Sequence, residues 1–157
     1  MNLYDIFDYL ERSPIGEAIR NSHWLFPVIE AFHLIGLVVL GGAVLVVDLR
    51  LLGLGLTRQT ISRVTNAAKP VLLVGIAMMF GTGIPLALSE MIKLYYNRSF
   101  WIKVTTLAIV LIFTFAVKHP LIRNENTNRF VLFFIGLASM GMWFTVAGAG
   151  RWIGFSS

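Results

Sequence analysis

The sequence predicts an all-α integral membrane protein: a four-helix bundle preceded by a short amphipathic interfacial helix. Hydrophobic residues make up 57% of the 157 residues and charged residues 13%, whereas soluble domains average about 45–50% and about 25%. Four apolar segments are each close to the roughly 20 residues that cross a hydrocarbon core. Because a bilayer accepts outward-facing apolar surface, we expect one transmembrane domain covering residues 1–157.

Residues 1–22 are predicted to form the interfacial segment. Between Leu3 and Leu10 the apolar side chains follow the i, i+3, i+4, i+7 spacing of one helix face, with acidic residues off that face. Ser13-Pro14 is typical of a cap followed by the first position of another short helix. These acidic residues, and the absence of an apolar h-region, argue against a secretory signal.

The predicted spans are residues 24–47, 70–94, 100–117 and 130–150. Gly81, Gly83 and Pro85 predict a kink in the second span. Four crossings place a belt of aromatic residues at one membrane surface, which supports the count. The belt residues are Trp24, Tyr95, Tyr96, Trp101 and Trp152.

The distribution of Lys and Arg favours a bacterial inner-membrane protein with both termini outside the cytoplasm. The two loops opposite the termini carry seven of these residues and the terminal side six, and basic residues prefer the cytoplasmic side. The net charge of +5 is spread through the loops rather than clustered, so no nucleic-acid partner is expected.

Ionisable residues inside the spans are the candidate functional residues, because burying a charge there is costly. By distance from the aromatic belt, Glu30, Lys103 and Glu90 lie at similar shallow depths, and we expect them to form a buried ion network. Two stripes at helical spacing are the predicted inward faces. They are Glu30, His33, Leu37, Gly41, Val44 and Asp48 on the first span, and Lys103, Thr106, Val110, Thr114 and Lys118 on the third.

His33 is the candidate ligand for a cofactor. Glu30-x-x-His33 has the spacing of carboxylate-bridged metal bundles, although such sites need two copies and this chain has one. Haem b is a second candidate. His119 lies too deep to share an iron with His33, so the second axial ligand would be Met142, Met140 or a second copy of His33. A quinone headgroup is the third, and a hydrogen bond across the bundle remains an alternative role for His33.

At the other membrane surface, Asp48-Leu49-Arg50 ends the first span with paired charges, interpreted as a solvated and partly salt-bridged helix end. The chain has no cysteine, which excludes disulfides, iron–sulfur clusters and c-type haem. No phosphate loop, nucleophile elbow or Ser/His/Asp set occurs, so the chain is not expected to be an enzyme on its own.

A set of residues along the chain carries a resemblance to a known family: Trp24, Pro27, Glu30, His33, Gly36, Asp48-Leu49-Arg50-Leu51-Leu52-Gly53, Glu90, Tyr95, Asn97, Phe100, Lys103 and His119. In these residues the chain resembles an uncharacterised family of small bacterial four-helix membrane proteins. The resemblance covers the first three helices well and the fourth weakly, and it implies a fold but no reaction. A looser likeness to copper-resistance-type and cytochrome-b-type membrane proteins rests on histidine within a span, without a level histidine pair or a Met-x-x-Met motif.

Three functions follow from these residues. The first is a membrane-embedded redox or metal-handling subunit, in which His33 is the ligand, Glu30 orients it, and Lys103 and Glu90 form the outer wall. The alternative is a non-enzymatic anchor or assembly protein whose buried ion network is structural. In this interpretation the polar residues only specify helix pairing and contacts with other membrane subunits or a second copy. A small transporter ranks third, because the stripe between His33 and Asp48 is apolar.

Overall fold

The computed structural model describes residues 2–124 and 126–156, and it confirms an all-α bundle with four helical units long and apolar enough to cross a membrane. In chain order the helices are α1 (Leu3–Glu11), α2 (Pro14–Arg20), α3 (Leu25–Leu51), α4 (Ile61–Ser89), α5 (Met91–Tyr96), α6 (Arg98–Ile112), a π-helical segment (Phe113–Lys118), α7 (His119–Arg123) and α8 (Arg129–Ile153). The four spans are α3, α4, the continuous unit Arg98–Arg123, and α8.

The second span begins nine residues earlier than predicted. Thr60 caps α4 by accepting a hydrogen bond from the backbone N–H of Arg63, and Pro70 lies inside the helix rather than at its start. Proline is tolerated there because neighbouring helices in a membrane protein compensate for the lost hydrogen bond. The helix then ends at Ser89, where the backbone of Glu90 leaves the helical region, and α5 continues the chain.

The third span extends beyond its predicted end through the π-helical segment. The backbone N–H of His119 bonds to the carbonyl of Thr114, five residues earlier, which widens the turn. Pro120 follows immediately and has no N–H to donate. The wider turn carries Thr114 and Lys118 into the bundle, where both are buried.

Small residues allow close contact between the spans. A Cβ at Gly75 of α4 would lie 2.7 Å from the Cα of Leu40 of α3, so the two backbones touch. A Cβ at Gly136 of α8 would lie 2.8 Å from the Cβ of Leu51. Glycine is therefore a packing requirement at both contacts.

The N-terminal helices cover one end of the bundle, which we call the terminal end because it holds Leu25, Ser89, Arg98 and Ile153 of the four spans. The predicted amphipathic helix is confirmed as α1, which packs on α5, while α2 packs on α4. Glu11 accepts a hydrogen bond from the backbone N–H of Ile92. The opposite end holds the α3–α4 and α7–α8 connections.

Large apolar side chains cover the outside of the bundle. Val38 of α3 is 74% exposed, Ile112 of α6 67% and Phe130 of α8 68%. In water such a surface would drive aggregation, whereas acyl chains solvate it. The protein is a multi-pass membrane protein.

Candidate functional site

His33 is held between α3 and α4 in one defined orientation. Its Nδ1 lies 2.8 Å from Oγ1 of Thr82, and that hydroxyl lies 2.6 Å from the carbonyl oxygen of Met78. A carbonyl only accepts, so the Thr82 hydroxyl donates its hydrogen to Met78 and must accept one from Nδ1–H of His33. Nδ1 therefore carries a hydrogen, and in the neutral form of the imidazole this leaves the lone pair of Nε2 available.

Two glycines make room for the polar side chains at this level. A Cβ at Gly83 would lie 3.0 Å from Cε1 of His33, so the ring packs directly on the backbone of α4. A Cβ at Gly150 would lie 3.4 Å from Nζ of Lys103, so α8 provides space for the lysine. Lys103 is half-buried. His33 lies eight residues from the terminal end of α3, and Lys103 lies five residues from the terminal end of the Arg98–Arg123 unit, so the two depths along the helices differ by about one turn.

The predicted network of Glu30, Lys103 and Glu90 does not form. Glu30 is exposed on the outside of α3, and Glu90 pairs with Lys93 at 3.6 Å. Within residues 2–124 and 126–156, no ion pair or hydrogen bond of the Glu30 or Lys103 side chain occurs.

The reason is a one-residue error in the predicted inward stripe of α3. The inward-facing residues of α3 are spaced three and four residues apart along the helix. Ile29, which is half-buried, takes the inward-facing position that was predicted for Glu30. Gly41 was also predicted to face inward and is exposed. The stripe of the third span is confirmed: its five residues are half-buried or buried, and Val110, Thr114 and Lys118 are the most buried of them.

Met142 does not lie at the level of His33. In the antiparallel α3–α8 pair, Leu51 contacts Gly136 and the cluster around Leu40 contacts Trp143. Continuing this register places Met142 about two to three helical turns deeper than His33. Among the described residues no group of three or more His, Cys, Asp or Glu side chains could hold a metal ion.

The structure reveals a second polar site near the opposite end, a buried triad of Asp48, Lys118 and Ser139. Lys118 donates hydrogen bonds to Oδ1 of Asp48 and to Oγ of Ser139, at 3.0 Å for the latter. Ser139 donates to Oδ2 of Asp48 at 2.9 Å. Asp48 and Ser139 have no exposed surface and Lys118 has 3%. Asp48 is therefore salt-bridged, as predicted for this helix end, whereas its interpretation as solvated is wrong, because the side chain is fully buried.

The triad joins three of the four spans, namely α3, the Arg98–Arg123 unit and α8. The sequence signal for two of its members was present, since Asp48 and Lys118 end the predicted inward stripes with opposite charges. Ser139 lies three residues after the contact glycine Gly136 on the same face of α8. That Gly-x-x-Ser spacing is the signal that could have identified it.

A family of unknown function, DUF6644, matches residues 6–156. The chain belongs to this family. Membership in DUF6644 confirms the resemblance to an uncharacterised family. The match includes α8 as well as the first three spans. No curated protein and no solved structure matches the chain, so the looser likeness of this DUF6644 member to copper-resistance-type and cytochrome-b-type proteins is not supported.

Proposed function

We propose that the protein is a membrane-embedded redox subunit that binds the headgroup of a lipid-soluble quinone at His33. The observation that supports the proposal is the orientation of the imidazole. Thr82 takes the Nδ1 hydrogen, and Gly83 lets the ring approach α4, so that Nε2 is held as an acceptor. Orienting an imidazole through its second nitrogen is how proteins prepare histidine to bind a ligand.

A quinone suits the groups at this level. The hydroxyl of a quinol would donate to Nε2 of His33, and a quinone carbonyl would accept from the ammonium of Lys103. His33 is partly exposed on a bundle whose outside faces lipid, so a headgroup can reach it laterally while its isoprenoid chain stays among acyl chains. The electrons would go to or come from another membrane subunit, which the proposal therefore requires.

Haem b and a metal ion are alternative ligands for the same nitrogen. Haem would take Nε2 of His33 as one axial ligand, and the second ligand would come from a second copy of the chain or another subunit, since Met142 lies deeper. A metal ion bound to His33 with Glu30 would also need further ligands from a partner.

The experiment is a quinone titration of the purified protein in lipid nanodiscs, followed by quenching of tryptophan fluorescence. The probe is a short-chain quinone in its reduced quinol form, because only the quinol has a hydroxyl that can donate to Nε2 of His33 and also accept from Lys103. We expect saturable binding that His33→Ala and Lys103→Met each weaken by about tenfold, a loss typical of one buried hydrogen bond. The matched controls are His23→Ala, an exposed histidine outside the spans, and Lys93→Met, an exposed lysine at the same end.

Two results would contradict the quinone proposal. One is the absence of saturable binding, and the other is equal binding by the His33 variant and its control. A Soret band in protein purified from a haem-replete host, lost in His33→Ala, would assign the site to haem b instead.

A membrane anchor or assembly protein is the second candidate, favoured by the exposure of Glu30. A carboxylate on the outside of α3, about one and a half turns from the helix start, is costly against lipid and would be stabilised by a basic residue of a partner helix. This candidate predicts that Glu30→Gln reduces co-purification of the partner, whereas His33→Ala does not. The reverse pattern would favour the redox subunit.

A transporter remains the weakest candidate. Buried aliphatic side chains, including Leu40, Leu72, Val110 and Val146, separate the level of His33 from the triad. A polar path between the two ends would need to cross this layer. We place the protein in the bacterial inner membrane with both termini outside the cytoplasm, on the charge distribution alone.

A further inference from the structure

A small cavity lies beside the triad, between α3, α4 and the π-helical segment. Its volume of about 10 Å³ is room for one water molecule. Val44 and Leu72 form part of its apolar wall, and Thr65, Thr114 and Lys118 are its buried polar groups. Towards the opposite end of the bundle it is bordered by Lys69, which is exposed, and His119, which is half-buried.

The polar groups that line this cavity are not satisfied by the described part of the chain. Thr65 and Thr114 are 7% and 2% exposed, respectively, and their buried hydroxyls have no hydrogen-bond partner among the described residues. The ammonium of Lys118 has three hydrogens, and the triad uses two of them. Buried polar groups without partners cost free energy, and a bound water commonly supplies the missing partner.

We propose that the cavity binds one water molecule, which completes the hydrogen bonding of Lys118 and links the triad to the membrane surface at Lys69 and His119. The water would accept from Lys118 and exchange hydrogen bonds with Thr65 and Thr114, which gives it the three partners typical of buried water. The cavity is too small for chloride. A metal cation is disfavoured by the two lysines.

The position of the cavity allows Lys118 to exchange hydrogens with water from one side of the membrane only. Lys69 and His119 connect it to the end of the bundle that holds the α3–α4 loop. The aliphatic layer that contains Leu40 and Val110 closes the other direction. The buried ammonium of Lys118 therefore exchanges hydrogens with water at one membrane surface only.

The direct test is water-edited solid-state NMR of the protein in lipid bilayers with ¹⁵N-labelled lysine. Only four lysines are present, so the Lys118 ammonium signal is assigned by its loss in Lys118→Met, or, if that variant does not fold, by elimination with Lys→Arg variants of the other three. We expect magnetisation transfer from water to the Lys118 ammonium. A Lys118 signal that receives none, while Lys69 does, would overturn the proposal.

A second test uses the sign of a stability change. If the cavity holds water, Thr114→Val removes one of its partners and lowers the midpoint of unfolding by several degrees. If the cavity is dry, the same substitution removes an unsatisfied hydroxyl and raises the midpoint. Thr105→Val, an exposed position on the same span, is the matched control for the intrinsic effect of the exchange, and a midpoint equal to or above that control contradicts bound water.

Discussion

Removing one charge of the buried triad is expected to be the most destabilising conservative change in this protein. Asp48→Asn keeps the shape of the side chain but leaves the ammonium of Lys118 without a counter-charge in a site with no exposed surface. Breaking a buried ion pair by removing one partner costs about 3–5 kcal/mol. Lys118→Met leaves the carboxylate of Asp48 unpaired and is expected to cost a similar amount.

The double variant Asp48→Asn/Lys118→Met distinguishes this mechanism from a simple loss of packing. With neither charge present, no unpaired ion remains, so the double variant is expected to be more stable than the sum of the single changes by more than about 1.5 kcal/mol. Coupling of this kind identifies groups in direct contact. Ser139→Ala, which removes one hydrogen bond to each ion, is expected to cost about 1.5–3 kcal/mol.

The assay is equilibrium unfolding by SDS in mixed micelles, followed by the change in tryptophan fluorescence. Each variant is compared with the wild-type chain at the same lipid-to-detergent ratio. Additive effects of the two single changes, or an Asp48→Asn variant within about 0.5 kcal/mol of wild type, would refute a buried and charged triad.

Three further predictions concern packing, the candidate ligand site and topology. Gly75→Ala should lower the free energy of unfolding by about 1–3 kcal/mol through overpacking, because its Cβ would meet the α3 backbone at 2.7 Å. The control Gly41→Ala, whose Cβ meets nothing within 4 Å, should unfold like wild type. Equal unfolding midpoints of the two variants would contradict the close contact. Thr82→Val should weaken quinone binding about three- to tenfold without changing the fold, and unchanged affinity would exclude a role for the hydroxyl. In intact cells an impermeant thiol reagent should label Asn21→Cys but not Arg58→Cys. The labelling is specific because the chain lacks cysteine. The opposite labelling pattern would show that the orientation is the reverse of the proposed one.

The general architecture followed from the sequence because apolar length and helical spacing are local properties. Four long apolar segments separated by charged loops predict four membrane helices whatever their arrangement. The ends of these helices were less predictable. Pro70 was predicted to start the second span, but it lies inside α4. The π-helical segment before Pro120 has no spacing signal of its own.

The candidate sites were also predictable only in part. His33 and Lys103 were identified because ionisable residues are rare in membrane spans. The sequence could not determine how the His33 ring is oriented, because its hydrogen-bond partner Thr82 and its packing partner Gly83 lie on another helix. The rotation of α3 about its axis was also undetermined to within one residue, and this moved Glu30 from the predicted network to the outer surface.

By itself, the sequence determined that the protein lies in a lipid bilayer, how many spans it has and which residues carry charge within them. Each of these properties depends on composition and on spacing along one helix. Only the tertiary structure decided which charges meet. Asp48, Lys118 and Ser139 come from three helices, and their contact depends on helix rotation, on the wide turn at Phe113–Lys118 and on the close approach at Gly136. These are properties of packing between helices, which spacing along one helix does not encode.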